Sequence, residues 1–269
     1  MVARVDQDSY RRAHEALGRR EARQRARAEV ETVEGALTRA LQDAVVVYET
    51  LRQLTAAAAF LSFQRRQVAR PLPEDPTTRL LETLRRGQER QAIRRVSREF
   101  DARDHFHAET DRVRPALEAC FGSQALSHLD QISGVYHQAW EKLNNRETRI
   151  LRRLGSTIRG VSPEHGEVIA HAPVSDADTY GDGVVVLFDP FFRIGATSRY
   201  QLLTHAGRAR DLQLLQAAVL LHEVLHWSVG TGHQRLGDLR NPQNYEFYLS
   251  QRHAQQPMSY STLNTLRRQ

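Results

Sequence analysis

The chain predicts a predominantly helical α+β protein, and three observations carry that prediction. Apolar residues recur at steps of three and four over residues 33–68 and 124–154, the period of helices with one buried face. Near Gly160 the composition shifts to glycine, proline and aspartate, and the β-branched run Val184-Val185-Val186 follows. A second, more apolar helical pattern then rises through Leu214, Leu215, Ala218 and Val219. With 269 residues, 40% of them hydrophobic and 26% charged, the chain can bury one large core or two small ones.

Residues 8–30 mix Arg, Glu, Gln and Ala, good helix formers with few apolar positions among them, and read as a solvent-facing helix. From Val33 to Val68 a face is marked by Leu37, Leu41, Val45, Tyr48, Leu51 and Leu54, and Ala56 to Phe60 extends it. The expectation is a helix, or two broken near Thr55, stopped by Pro71, Pro73 and Pro76. Thr77 or Thr78 can cap a further helix through Leu80, Leu81 and Leu84, and another pattern covers Ile93, Val96 and Phe100. Arg114-Pro115 is expected to bend the chain before Ala116, Leu117, Cys120 and Phe121.

Residues 124–154 read as helix through Leu126, Leu129, Ile132, Tyr136, Trp140, Leu143, Ile150 and Leu154, with Asn144-Asn145 as an interruption. Residues 161–183 have the composition of short strands and turns, and His171, beside Ile169 and Ala170, can sit on a strand. Residues 183–188 form a buried strand ended by Asp189-Pro190, with Phe191 and Phe192 supplying core mass beyond it. Asp211 can cap the last strongly apolar helix. The expected organisation is an arginine-rich helical region over residues 1–70 and a second domain over 71–269, its core within 161–255.

Charge and cysteine content narrow the classes. The formal net charge is +6, carried by arginine, since Lys142 is the single lysine. Such a balance is compatible with nucleic acid, but a solvated arginine-rich surface is the preferred reading and needs no partner. Cys120 stands alone, so neither an internal disulfide nor a multi-cysteine zinc site can form. No run approaches the roughly 18 uninterrupted apolar residues of a membrane span. No apolar stretch follows the first basic residues, so the expected location is the cytoplasm of the producing cell, with export or injection left to a route needing no such leader.

The chemistry concentrates in His222-Glu223-Val224-Leu225-His226, an H-E-x-x-H pattern within the apolar helix. Histidines four residues apart stand on one helical face, one turn above the other, and can grip a zinc ion at about 2.0–2.1 Å. Glu223 then lies where a carboxylate can take a proton from water at the ion. Gly230-Thr231-Gly232-His233 follows, and its two glycines let the chain turn back so that His233 can supply a third ligand. Asp238 is the fallback ligand. Asp104, His105, His107 and Glu109 are also polar and clustered, but they share no convincing face and read as surface or capping residues.

Residues 221–227, 230–233 and 241–248 (Asn-Pro-Gln-Asn-Tyr-Glu-Phe-Tyr) together resemble the aspzincin metallopeptidases, the class of deuterolysin and the peptidyl-lysine endopeptidases. The resemblance is convincing from Gly183 to Tyr248. It implies a zincin-like catalytic half with a small sheet, a zinc cofactor and endopeptidase activity on protein or peptide substrates. Where the family carries a metal-binding aspartate this chain has His233, an exchange of one donor for another. The family's oxyanion-stabilising tyrosine corresponds to Leu236, leaving Tyr245, Tyr248, Tyr180 or an arginine as candidates for that task. In lysine-selective members two acids receive the substrate ammonium; here they fall on Gln243 and Glu246, so strict lysine selectivity is not expected. Glu246 keeps one charge that can still favour a basic side chain, and, on an equal footing, Asn241, Asn244 and Glu246 can brace the glycine turn or a ligating histidine.

The expected function is therefore zinc-dependent hydrolysis of peptide bonds, with His222, His226 and His233 on the metal and Glu223 activating water. A bacterial toxin or injected effector is the expected setting, with a partner protein for the N-terminal helices. Two other classes stand beside it. A non-catalytic zinc-binding interaction protein would bind a partner without proteolysis. A nucleic-acid-associated basic helical protein would be retained on nucleic acid with a steep salt dependence.

Overall fold

The computed structural model describes residues 2–69, 80–88, 102–153, 170–171, 183–192, 212–229 and 237–252, with single positions at 75, 77 and 91. Within these, the side chains of residues 60–69, 102–107, 170–171 and 190 lie outside the description.

The chain enters through β1 (Arg4–Val5) and α1 (Gln7–Ala13). Asp6 caps α1, its carboxylate accepting from the Ser9 amide at 3.2 Å. After a turn at residues 14–18, α2 (Arg19–Ala69) runs unbroken for 51 residues. Of the two alternatives, one helix or two broken near Thr55, the single helix is the one formed: the Thr55 hydroxyl donates to the Leu51 carbonyl one turn back, at 3.0 Å, which satisfies it within the helix. Arg70 and the prolines beyond it follow directly on the helix end.

The buried face of α2 is Ala26, Val30, Val33, Leu37, Ala40, Ala44, Val47, Leu51 and Leu54, alternating steps of four and three. This corrects the expected face. Val45 is exposed, Leu41 and Tyr48 are only partly buried, and alanines take the inward places. Small residues allow neighbouring helices to approach closely, and Gly35 belongs to the same device: a Cβ there would run into the side-chain amide of Gln213.

Residues 80–88 are helical, as expected, with Leu80, Leu81 and Leu84 exposed, and α3 (Ala102–Phe121) then continues through Pro115 where a bend was expected. Gly122, at φ +80°, ends it in the left-handed conformation open to glycine. A 3-10 turn (Ala125–His128) leads into α4 (Leu129–Leu143), which buries Leu129, Ile132, Tyr136, Ala139 and Leu143. The helical reading of 124–154 fails after Asn144. Residues Arg149–Arg152 form β2, because Asn145 turns the chain by accepting from the Glu147 amide at 3.0 Å, and Ile150 becomes a central strand residue.

The remaining strands are β3 (Ala170–His171) and β4 (Val184–Leu187), both in stretches expected to be extended. Sheet order is β1-β2-β4-β3, with β1, β2 and β4 parallel and β3 antiparallel on the edge of β4, His171 opposite Val186. Gly183 opens β4 at φ +110°, and a Cβ there would press on the Glu147 carbonyl at 3.3 Å, so glycine is required. A single turn of helix, α5 (Asp189–Phe192), follows β4, and α6 (Leu212–Val229) and α7 (Pro242–Gln251) complete the described chain.

One core joins these elements. Residues of α2, α3, α4, β2, β4, α6 and α7 belong to the same buried cluster, and α2 packs on both α4 and α6. The buried face of α2 thus lies in one cluster with the helix that carries the histidine pair. Among the described residues no helix is long and apolar enough to cross a membrane.

Candidate metal centre

Helix α6 is apolar on nearly every side, so it is driven to the middle of the structure, and every residue from Leu214 to His226 is buried. It packs against α2, α4, α7, β3 and β4. Gln216 ties it to the end of the sheet by donating to the Phe191 carbonyl at 3.3 Å. A helix held so firmly presents its polar residues in fixed places.

His222, Glu223 and His226 are 6–8% exposed. The two imidazole rings stand 4.9 Å apart, centroid to centroid, and cross at 79°. One ligand atom from each of the three residues lies within 4.8 Å of the others. Two donors on a tetrahedral zinc at about 2.0–2.1 Å are themselves about 3.4 Å apart. The donor atoms on α6, within 4.8 Å of one another, are close enough to converge on one ion. This buried cluster can hold a metal ion.

Glu246 comes to the site from α7. Its carboxylate Oε2 lies 2.8 Å from His222 Nδ1, and its side chain is 3% exposed. The approach is an ion-pair distance and not an aligned N–H···O bond, yet a carboxylate beside Nδ1 favours a proton on that nitrogen and leaves Nε2 to face an ion.

The rest of the 241–248 segment builds the platform under Glu246. Asn241 caps α7, accepting from the Gln243 amide at 3.0 Å, with Pro242 in the first turn where its missing N–H costs nothing. Asn244 donates to the Asp238 carbonyl at 2.7 Å, and the Tyr245 hydroxyl to the Leu239 carbonyl at 2.9 Å. Tyr136 reaches across from α4 to the Tyr245 carbonyl at 2.7 Å. Gln243 is buried one turn before Glu246, on the same side of α7.

Tyr245 and Tyr248 sit with Phe121 and Tyr136 in an aromatic cluster on the other side of α7, turned away from Glu246. Burial holds both phenols above their ordinary ionisation range. Asp238, the fallback ligand, is outside the cluster: its side chain accepts from the Arg240 amide at 2.9 Å and its carbonyl serves Asn244. His233 lies outside the described residues, as do Tyr180, His165, Asp211 and Leu236. Asp104, His105 and His107 lie there in their side chains, while Glu109 accepts from Arg112 at 3.0 Å.

Sequence reasoning missed a second polar cluster altogether. Arg152 of β2, 3% exposed in its side chain, donates to Glu29 of α2 at 3.0 Å and to Asp189 of α5 at 2.5 Å, and its guanidinium lies 4.6 Å over the Phe192 ring. His14 meets the same Glu29 oxygen at 3.0 Å. The members are separated by up to 175 positions between His14 and Asp189, so no local pattern announces them.

No protein-family model, no curated protein and no solved structure matches this chain.

Proposed function

We propose that this chain is a zinc-dependent endopeptidase with a zincin-like catalytic half of aspzincin type. The observation that supports it best is the buried triad on α6, with donor atoms of His222, Glu223 and His226 gathered within 4.8 Å. Two imidazoles one helical turn apart, nearly excluded from water, form a donor pair that suits zinc, with the Glu223 carboxylate beside them. In this reading His222 and His226 hold the ion, and His233 completes the set as the resemblance implies.

Zinc bound there would supply Lewis acidity, polarising the scissile carbonyl and lowering the pKa of water. Glu223 accepts the proton of the attacking water as its oxygen bonds to the carbonyl carbon. It then delivers that proton to the departing amine nitrogen as the C–N bond breaks. The apolar walls of α6 keep bulk water from competing for the carboxylate and strengthen its electrostatic interactions.

The test is metal analysis of the purified chain together with cleavage of an unfolded protein substrate. Zinc is expected at one ion per chain, and Glu223→Gln is expected to keep it while losing about 10²–10⁴-fold in cleavage rate. A chain that takes up no zinc, or a Glu223→Gln variant that cleaves at the parent rate, removes the proposal.

A further inference from the structure

We infer that Glu246 is a positioning residue for His222 and not a receptor for a basic substrate side chain, so that cleavage by this chain is not directed to lysine. The inference rests on the metallopeptidase reading above and concerns what Glu246 does within it.

Three observations carry it. First, the Glu246 carboxylate lies 2.8 Å from His222 Nδ1, and the two side chains are 3% and 9% exposed. An ammonium group arriving from a substrate would have to leave water for a place where the carboxylate is already engaged. Second, the helix under Glu246 is fixed, so only a side-chain rotation that gives up the approach to His222 could bring the carboxylate to a substrate. The helix that bears it is capped by Asn241, tied to the preceding turn through Asn244 and Tyr245, and held from α4 by Tyr136. Third, Gln243, the other residue placed to serve such a receptor, is neutral and only 4% exposed.

The positive role follows from imidazole chemistry. Each histidine offers one nitrogen to a metal while the other carries the proton, and the partner of that second nitrogen decides which is which. With the Glu246 carboxylate 2.8 Å from Nδ1, a proton on that nitrogen is favoured by its negative charge and Nε2 is left to the ion. Carboxylates in this position raise metal affinity by about 10–100-fold.

The experiment compares the parent chain with Glu246→Ala and Glu246→Gln, all first shown to be folded by circular dichroism. Zinc affinity is read by competition with a chromogenic chelator, the tautomer of His222 by nitrogen-15 spectra of the zinc-loaded protein, and selectivity by mapping the cut sites in a protein digest. Glu246→Ala is expected to weaken zinc about 10–100-fold and to lose the protected Nδ1–H signal. Glu246→Gln, whose amide oxygen still accepts from Nδ1–H and whose volume preserves the packing, is expected to recover much of both. Cut sites in the parent are expected to show no enrichment of lysine. Equal zinc affinity in Glu246→Ala and the parent overturns this inference alone, as does a parent preference for lysine that Glu246→Gln abolishes. Absence of zinc from the parent chain overturns the metallopeptidase reading and this inference with it.

Discussion

His14 and His222 each rest against a glutamate delivered by a different element, at 3.0 and 2.8 Å, yet the two pairs sit in different surroundings. Around the first, Arg152 shares the Glu29 carboxylate and carries it on to Asp189, so a guanidinium neutralises the acids and ties α2 to β2 and α5. Around the second, His226 and Glu223 stand on the same helix as His222, their donor atoms converging. A histidine–glutamate contact is thus not in itself a metal site. What separates the two is a second imidazole one helical turn away.

That contrast can be broken most directly at the imidazoles. His226→Ala is expected to abolish zinc uptake and proteolysis together, whereas His14→Ala should leave both within about twofold and cost roughly 1–3 kcal/mol of stability for its lost buried contact. Metal analysis and chemical denaturation of the two variants, side by side, read the difference. If His14→Ala also empties the protein of zinc, the two regions are not independent.

Stability should respond most strongly at the other cluster. Glu29→Ala strips the buried Arg152 of its principal partner and is expected to destabilise the fold by about 3–5 kcal/mol, seen as a lower urea midpoint, while the zinc affinity of the protein that remains folded is unchanged.

A smaller effect sharpens the view of the platform. Tyr245→Phe removes the bond to Leu239 and should cost about 0.5–1.5 kcal/mol, with cleavage hardly altered. Were that phenol the oxyanion donor, the loss would instead be about 10²–10³-fold in rate. Burial raises the ionisation of Tyr245, so its contribution to stability is complete below the unfolded phenol's pKa of about 10 and declines as pH climbs through the raised folded value. The parent should lose stability in alkali more steeply than Tyr245→Phe, as followed by thermal melts across that range.

Local chemistry made much of the candidate site legible in advance. The i, i+4 spacing places His222 and His226 on one face whatever surrounds them. A run of valines announces β4, because it depends on residues only a few positions apart. The chain length and the apolar character of α6 likewise predicted that this helix would be buried.

Tertiary structure decided the rest. Whether Glu246 faced substrate or His222 depended on how α7 docks on α6, a relation between residues 24 positions apart in sequence that no periodicity encodes. Two-residue β1 and four-residue β2 acquire their form from pairing, β1 with β2 and β2 with β4, and are too short to carry a pattern of their own. The alanine face of α2 is legible only once α4 and α6 are against it, since a small side chain is favoured by the closeness of its neighbour and not by any preference it shows alone. Bonded geometry reaches about one helical turn along the chain, and beyond that the arrangement of buried surface chooses the partners.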